Sequence, residues 1–296
     1  MDRKGNLEEQ KMPLGSFGYP RVSKNGKTVA YQVDAGNQSA IWIYPLSSSI
    51  APRQLTITGS NRYPVRSGDE RVAFQSDREG ELGIWWQRAD GSGPVERLTK
   101  AEKGVSHIPD SWSRDGQTLS YTEIKSDSSS IWTLSLHDKK PTLFAQLPSS
   151  RLSNSVFSPD DRWVAYQTID NTGGSSQVDV QRYPPGDRYQ LPKDGTEHHP
   201  LFSRLGKELF YVRGAGLVAV VSISTQPSFT FSSPVPVPIG SFRTLPPNDV
   251  RDYDILPDGR LLGVVLPGQT PTGPAAQQIQ VVLNWFEELK QRVPVR

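Results

Sequence analysis

Hydrophobic and polar positions alternate in short runs along this chain, and the runs form one pattern that recurs six times. In each copy a polar turn leads into a short apolar strand. The copies are SKNGKTVAYQ from Ser23, SGDERVAFQ from Ser67, SRDGQTLSY from Ser113, SPDDRWVAYQ from Ser158, SRLGKELFY from Ser203 and LPDGRLLGVV from Leu256. Their spacing, 43 to 53 residues between closing residues, predicts a repeat architecture.

Each repeat is predicted to contain four short strands. A third strand begins about ten residues after the closing aromatic residue, and in three copies it carries an Ile-Trp pair: Ile41-Trp42, Ile84-Trp85 and Ile131-Trp132. A fourth strand follows a polar turn, as in PRQLT (52–56) and VERLT (95–99). The Trp rings are expected to pack one sheet against the next.

The first turn of the repeat has its own chemistry. Asx-Gly pairs supply the positive φ that tight hairpins need, so we interpret them as turn formers rather than calcium ligands. These pairs are Asn25-Gly26, Asp115-Gly116 and Asp258-Gly259.

Repeated four-stranded antiparallel meanders around one axis predict an all-β, six-bladed β-propeller that fills the chain as a single domain, 1–296. The predicted blades are about 14–57, 58–100, 101–148, 149–192, 193–233 and 234–285. The last repeat lacks a fourth strand, and an N-terminal strand at about 5–13 is expected to supply it. Residues 6–12 should therefore pair with 279–283 and close the ring. A short C-terminal helix is predicted at about 285–292.

Composition narrows the class of protein. The formal charge is +2, from 33 basic and 31 acidic residues, so bulk charge implies neither nucleic acid nor an anionic membrane as a partner. There is no cysteine, which excludes disulfides and thiolate chemistry. No stretch approaches the length of an apolar spanning helix, and no signal peptide is evident, so we expect a soluble, monomeric domain that does not insert into membranes.

The repeated S-x-D-G-K-x-[VIL]-A-Y, I-W and R-x-L-T elements resemble the TolB-like (WD-type) propeller repeat over essentially the whole chain. The opening DRKG and the ending VVLNWFEELKQRVP resemble the C-terminal propeller of bacterial eukaryotic-like serine/threonine protein kinases. That resemblance implies a sensor or scaffold module attached to a kinase and a membrane helix, outside the cytoplasm. A TolB-like envelope scaffold, working through protein partners, is the alternative.

The sequence contains no kinase loop motifs and no G-x-S-x-G elbow, so we expect a non-enzymatic domain without a cofactor. The predicted site is the channel mouth where the loops between blades enter the inner strands. There, polar side chains recur once per blade and converge on the axis, where they could bind a protein, a peptide or a small glycan. The alternative is a water-filled channel mouth without a ligand. The candidate residues are Arg62, Tyr63, His107, Asn154, His198, His199, Arg251 and Asp252.

Three histidines in this set raise a second enzyme class, a metal-dependent sugar-acid lyase. Adjacent strand residues point to opposite faces, which opposes a shared metal on His198 and His199 unless the backbone is irregular there. We therefore predict no metal site and keep the lyase as the less favoured alternative.

Overall fold

The computed structural model describes residues 15–46, 50–172, 174–214, 216–239 and 242–265, together with residues 1, 2, 6, 8 and 10. All regular structure in these ranges is β-strand, which confirms the all-β class. Within the same ranges, no helix has the length and apolar character needed to cross a membrane.

The strands form consecutive antiparallel sheets in chain order. The first sheet contains β1 (Phe17–Val22), β2 (Thr28–Ala35), β3 (Gln38–Pro45) and β4 (Arg53–Gln54), and the second contains β5 (Asn61–Arg66), β6 (Arg71–Ser76), β7 (Gly83–Arg88) and β8 (Glu96–Arg97). The third contains β9 (Ser106–Trp112), β10 (Thr118–Ile124), β11 (Ser129–Ser135) and β12 (Pro141–Ala145), and the fourth contains β13 (Ser150–Phe157), β14 (Trp163–Asp170), β15 (Ser176–Arg182) and β16 (Arg188–Gln190). The fifth contains β17 (Glu197–Phe202), β18 (Glu208–Arg213), β19 (Val218–Ser224), β20 (Thr230–Phe231) and β21 (Val235–Val237), and the sixth contains β22 (Tyr253–Ile255) and β23 (Leu261–Gly263).

The structure shows five blades rather than the predicted six. Among the described residues, the sixth repeat contributes the pair β22–β23, and β21 pairs with β19 of the fifth sheet. The proline-containing β21 lies at a sheet edge, where a missing backbone N–H is tolerated. The predicted third strand of the last repeat, its pairing with 6–12 and the predicted C-terminal helix lie outside the described residues.

The start of the chain contacts the sixth sheet. The Met1 amino group donates a hydrogen bond to the Leu261 carbonyl (2.8 Å), and the Leu261 amide donates to the Met1 carbonyl (3.0 Å). Arg260 also pairs with Glu8 at 2.7 Å. The N-terminal residue thus pairs with β23, the second strand of its sheet.

The first strand of each sheet faces the axis of the ring. β1 contacts β5, β5 contacts β9, β9 contacts β13, β13 contacts β17, and β1 also contacts β22. On its other side β22 reaches β17, because the Tyr253 hydroxyl donates to the His199 carbonyl at 2.6 Å. The two-stranded sheet therefore lies between the fifth and first blades.

Apolar clusters fill the spaces between successive blades, as the sequence predicts for the Trp rings. Trp85 packs with Ala30 and Ile41 of the first blade, and Trp132 packs on the second-blade cluster that contains Trp86. The Trp86 ring also stacks on Trp112 of the third blade, with centroids 5.5 Å apart. Burial of these faces holds neighbouring sheets together.

The first turns are held by the serine and Asx residues of the repeat. In the third blade the Ser113 hydroxyl donates to Asp115 (2.5 Å) and accepts from the Thr118 amide (3.0 Å). In the first blade the Ser23 hydroxyl likewise accepts a hydrogen bond from the Thr28 amide. The turn-forming role is confirmed, with φ of +72°, +71° and +84° at Gly26, Gly116 and Gly259.

Gly26→Ala is expected to destabilise the protein more than Gly116→Ala. Both glycines have left-handed backbone, which costs an L-residue about 1–2 kcal/mol. A Cβ at Gly26 would also lie 2.9 Å from Pro257 of the sixth repeat, whereas one at Gly116 meets nothing closer than 3.9 Å. Overpacking of this kind adds roughly 1–3 kcal/mol. Urea unfolding of both variants measures the difference, and equal losses would show that the first and sixth turns do not touch.

Candidate functional site

A β-bulge interrupts each of the five inner strands that lead a complete blade. The register shifts within β1, β5, β9, β13 and β17. In four of these bulges one non-glycine residue has left-handed backbone, with φ of 54–55° at Tyr19, Tyr63, Asn154 and His199. Such residues are strained and persist only where surrounding contacts hold them.

A glutamine from the preceding blade supports two of these strained residues. Gln32 accepts a hydrogen bond from the Tyr63 amide (3.1 Å), and Gln167 accepts one from the His199 amide (3.0 Å). Gln75 takes the same place before the third blade and donates to the His107 carbonyl at 2.8 Å. In the first, second and fourth blades, the glutamine that follows the closing aromatic residue of the repeat therefore links its blade to the next one.

The chain crosses the axis between β21 and β22, in a stretch that we call the connecting segment (residues 242–252). Its Asp249 carbonyl accepts hydrogen bonds from Asn154 Nδ2 and His199 Nε2, both at 2.9 Å. The Asp249 carboxylate accepts from the Tyr19 hydroxyl, also at 2.9 Å. Since these partners belong to the first, fourth and fifth blades, the connecting segment covers the end of the ring where the inter-blade loops arrive, which we call the loop end.

Five of the predicted site residues meet at the connecting segment. His198 Nε2 lies 3.0 Å from the Leu245 carbonyl, and Asn154 Oδ1 accepts from the Arg251 amide at 3.0 Å. Asp252 accepts from the Tyr19 amide (2.6 Å) and is paired with Arg243 (2.7 Å). The members of this group are Asn154, His198, His199, Arg251 and Asp252, and all are buried.

The other three predicted residues lie elsewhere. Tyr63 is half-buried, with its ring edge-on to Tyr19 at 4.9 Å, and its neighbour Arg62 is also half-buried. His107 is buried between the second and third blades, where its ring nitrogens lie 2.9 Å from Thr99 Oγ1 and 3.5 Å from Glu123. The structure therefore does not bring His107 to the other two histidines.

The backbone at His199 is irregular, and this changes the expected orientation of the histidine pair. The bulge brings both rings onto the connecting segment, with centroids 4.5 Å apart. Their Nε2 atoms face the Leu245 and Asp249 carbonyls. No group of three or more potential metal-binding side chains occurs in the part of the chain that the structure describes.

Tyr19 and Asp249 make contacts at the loop end that the predicted set lacks. Tyr19 occupies the first-blade position equivalent to Tyr63, so the repeat alignment is enough to identify it as a member of the same ring of residues. Asp249 lies in a loop outside the repeat, and no periodic pattern marks it.

Burial lowers the pKa of all three histidines, and for His199 the pKa falls well below its ordinary value. The unfolded chain therefore binds protons more readily, so this contribution to stability is complete above the unfolded pKa of about 6.5 and is lost as pH falls below it. We expect the unfolding midpoint to fall from pH 7.5 to pH 5.5. Between pH 7.5 and pH 5.5 the free energy of unfolding of His199→Gln should therefore fall less than that of the wild type, by up to about 1.4 kcal/mol.

Chemical denaturation at each pH measures this difference. The exposed His137→Gln variant is the matched control and should follow the wild type. Parallel pH profiles of His199→Gln and wild type would contradict the prediction.

Opposite the loop end is the turn end, where the first hairpin turns surround the axis. A cavity of about 620 Å³ opens there and reaches buried charges at the centre of the ring. Arg21 and Arg251 lie beside Asp110, and burial raises the pKa of Asp110 to about 6 and lowers that of Arg21 to about 9. This concave site thus lies at the end opposite the predicted mouth.

The sequence matches no protein-family model and no curated protein. Solved structures share its fold. A putative TolB from Agrobacterium tumefaciens is 16% identical, with a TM-score of 0.61, over 76% of this chain and 83% of that chain. TolB from Acinetobacter baumannii is 21% identical, with a TM-score of 0.61, over 76% of this chain and 54% of that chain. The chain therefore spans about half the length of the Acinetobacter protein.

A chain of a nidogen/laminin complex matches at 13% identity and a TM-score of 0.57, over 70% of this chain and 76% of that chain. A puromycin-hydrolyzing peptidase of Mycobacterium tuberculosis matches at 15% identity and a TM-score of 0.53, over 37% of that chain. At these identities the likeness concerns the fold alone. The chain therefore shares the β-propeller fold of these structures.

Proposed function

We propose that this chain is a non-catalytic propeller that binds a protein partner at its loop end. The observation that carries the proposal is that the connecting segment and the strained bulges form one hydrogen-bonded surface across the axis. A rigid polar surface loses little conformational entropy when a partner docks. The TolB and nidogen/laminin neighbours support a protein partner over a chemical substrate.

The predicted residues have two roles in this proposal. Arg62 and Tyr63 are half-buried, and Tyr63 packs on Tyr19, which bonds to Asp249 of the connecting segment. The proposal assigns the partner contact to these two residues and to the exposed Pro246 and Asn248 of the connecting segment. The buried members of the set hold that surface in place from below. Since the buried histidines bond to protein groups, the proposal assigns them a supporting role rather than proton transfer or metal binding.

A photo-crosslinking side chain placed at Arg62 or Asn248 tests the site in cells of the source organism. We expect one discrete crosslinked protein from both positions and none from the exposed Lys140, before the outer strand of the third blade. Crosslinks of equal yield from Lys140, or none from either loop-end position, would overturn the proposal.

We further propose that the module belongs to a bacterial signalling protein, as the kinase resemblance implies. The full reading frame is then expected to encode kinase catalytic motifs and a membrane helix before this domain. A signal peptide directly upstream would instead support the second candidate, an envelope scaffold, which the two TolB neighbours favour.

A further inference from the structure

The cavity at the turn end is closed on its far side. All six repeats contribute to its wall, through inner strands and first turns such as Val22, Val65 and Phe157. The connecting segment crosses the axis beyond it, bonded to Tyr19 on one side and to Asn154 on the other. A blind pocket of about 620 Å³ suits a small molecule rather than a threaded chain.

The wall of this cavity is basic. Its cationic side chains outnumber its carboxylates: Arg21, Lys24, Arg66, Arg114, Arg204 and Arg251 against Asp110, Asp160 and Asp254. A concave site with an excess of one charge concentrates ligands of the opposite sign. The cavity therefore favours anions.

The carboxylates of the wall are already engaged by the protein. Asp110 accepts hydrogen bonds from Thr122 and Ser155, both at 2.7 Å. Asp254 accepts from the Val22 amide, also at 2.7 Å. Asp160 accepts from the hydroxyl of its own turn serine at 2.6 Å. Arg21 and Arg251 are engaged as well, by backbone carbonyls at 2.8–3.0 Å, whereas Arg114 and Arg204 make only 3.4 Å contacts to carbonyls. Lys24, Arg66, Arg114 and Arg204 are therefore the cations that a ligand would meet.

Three of the cations stand at the rim in alternate repeats. Lys24, Arg114 and Arg204 each follow the serine of a first turn, and glycine or proline takes that position in the other repeats. None of the three forms an ion pair with a residue that the structure describes. The rim therefore presents unpaired positive charge around the opening.

Arg66 supplies a deeper group with unused hydrogen-bonding capacity. Its side chain is only 4% exposed and pairs with Glu70 through one nitrogen. The Nε and Nη1 atoms are buried without an acceptor among the described residues, and the same is true of Arg21 Nε. A buried N–H without a partner is costly, so an acceptor entering from the cavity would be stabilised there.

From this geometry we propose that the turn-end cavity binds a small organic or inorganic polyanion with at least two carboxylate or phosphate groups. The rim cations attract the anion, and Arg66 binds one of its anionic groups. Arginine suits both group types because its planar guanidinium donates two parallel hydrogen bonds. This site goes beyond the protein-binding surface of the loop end and does not depend on it.

Isothermal titration calorimetry at low salt with citrate, pyrophosphate and uncharged sorbitol tests the proposal on the whole chain. At least one of the two anions is expected to bind with a Kd below about 1 mM, more weakly as salt rises, and sorbitol is not. A preference for citrate or for pyrophosphate identifies the favoured anionic group. Arg66→Gln is expected to weaken binding by at least about tenfold, as is the triple variant Lys24→Gln, Arg114→Gln and Arg204→Gln.

Two control variants locate the effect. Lys27 lies in the same first turn but outside the cavity wall, and Arg62 belongs to the loop end, so Lys27→Gln and Arg62→Gln should bind the anion like the wild type. The triple variant decides the question if Arg66→Gln does not fold. Absence of binding by both anions, or equal losses in the Lys27→Gln control, would overturn the proposal. Tighter binding of hexaglutamate than of either small anion would overturn it in favour of an acidic peptide.

Discussion

Replacing Arg251 by alanine is expected to lower the free energy of unfolding by about 3–5 kcal/mol, because one partner of a buried charge network is removed. The Arg251 guanidinium donates to the Pro200 and Tyr253 carbonyls, both at 3.0 Å. It also lies beside Asp110, whose pKa it lowers against the larger effect of burial. Its loss would leave two buried carbonyls without these donors and less positive charge near Asp110.

Equilibrium unfolding in urea at pH 7, followed by tryptophan fluorescence, measures this loss. Arg251→Lys should fall between wild type and Arg251→Ala, since lysine keeps the charge but not the paired geometry. Arg260→Ala is the matched control, because Arg260 is partly exposed and an exposed ion pair contributes about 0–1 kcal/mol. A cost below about 1 kcal/mol for Arg251→Ala would show that the central charges do not depend on Arg251.

Trp163→Ala is expected to cost about 3–5 kcal/mol, the usual penalty for truncating a buried aromatic residue. The Trp163 ring is 3% exposed and packs on Phe229 of the fifth blade, with centroids 5.3 Å apart, and on Tyr189 at 5.7 Å. Its Nε1 donates to the Thr225 carbonyl at 3.2 Å. The side chain therefore joins the fourth blade to the fifth, and its loss leaves a cavity between them.

The same unfolding measurement separates packing from hydrogen bonding at this contact. Trp163→Phe keeps much of the ring contact and loses the N–H, so it should cost about 1 kcal/mol from the lost bond and little more. Trp132→Ala on the third blade provides the comparison, because Trp132 is only partly buried and should cost less. Equal effects of Trp163→Ala and Trp132→Ala would contradict the role assigned to the fourth–fifth contact.

The repeated blade could be predicted from sequence because its causes are local. Short apolar runs between turn residues indicate the strands, and the serine and Asx residues form the turns, as Ser113 and Asp115 do in the third blade. The Trp residues of the third strands then pack on the preceding sheet. The blade count differs from the prediction because, among the described residues, the sixth repeat forms the two-stranded sheet β22–β23, while β21 joins the edge of the fifth sheet.

The sequence indicated which residues gather at the candidate site, but it did not indicate what their side chains contact. The repeat alignment predicted that Asn154, His198 and His199 share one end of the ring, since inner strands share a direction. It gave no sign that the connecting segment would bind all three. The bulge at His199 also turns both histidines toward that segment, against the alternation expected of a regular strand.

By itself the sequence determined an all-β chain of four-stranded repeats, their turn chemistry and the polar character of the end of the axis where the inter-blade loops arrive. Only the tertiary structure decided that the connecting segment covers the loop end and that a cavity opens at the turn end. That outcome depends on hydrogen bonds between residues far apart in the chain, such as Tyr19 with Asp249, and on burial that leaves Arg66 without a full set of acceptors. Periodicity reports which face a residue occupies, whereas long-range pairing sets what that face contacts.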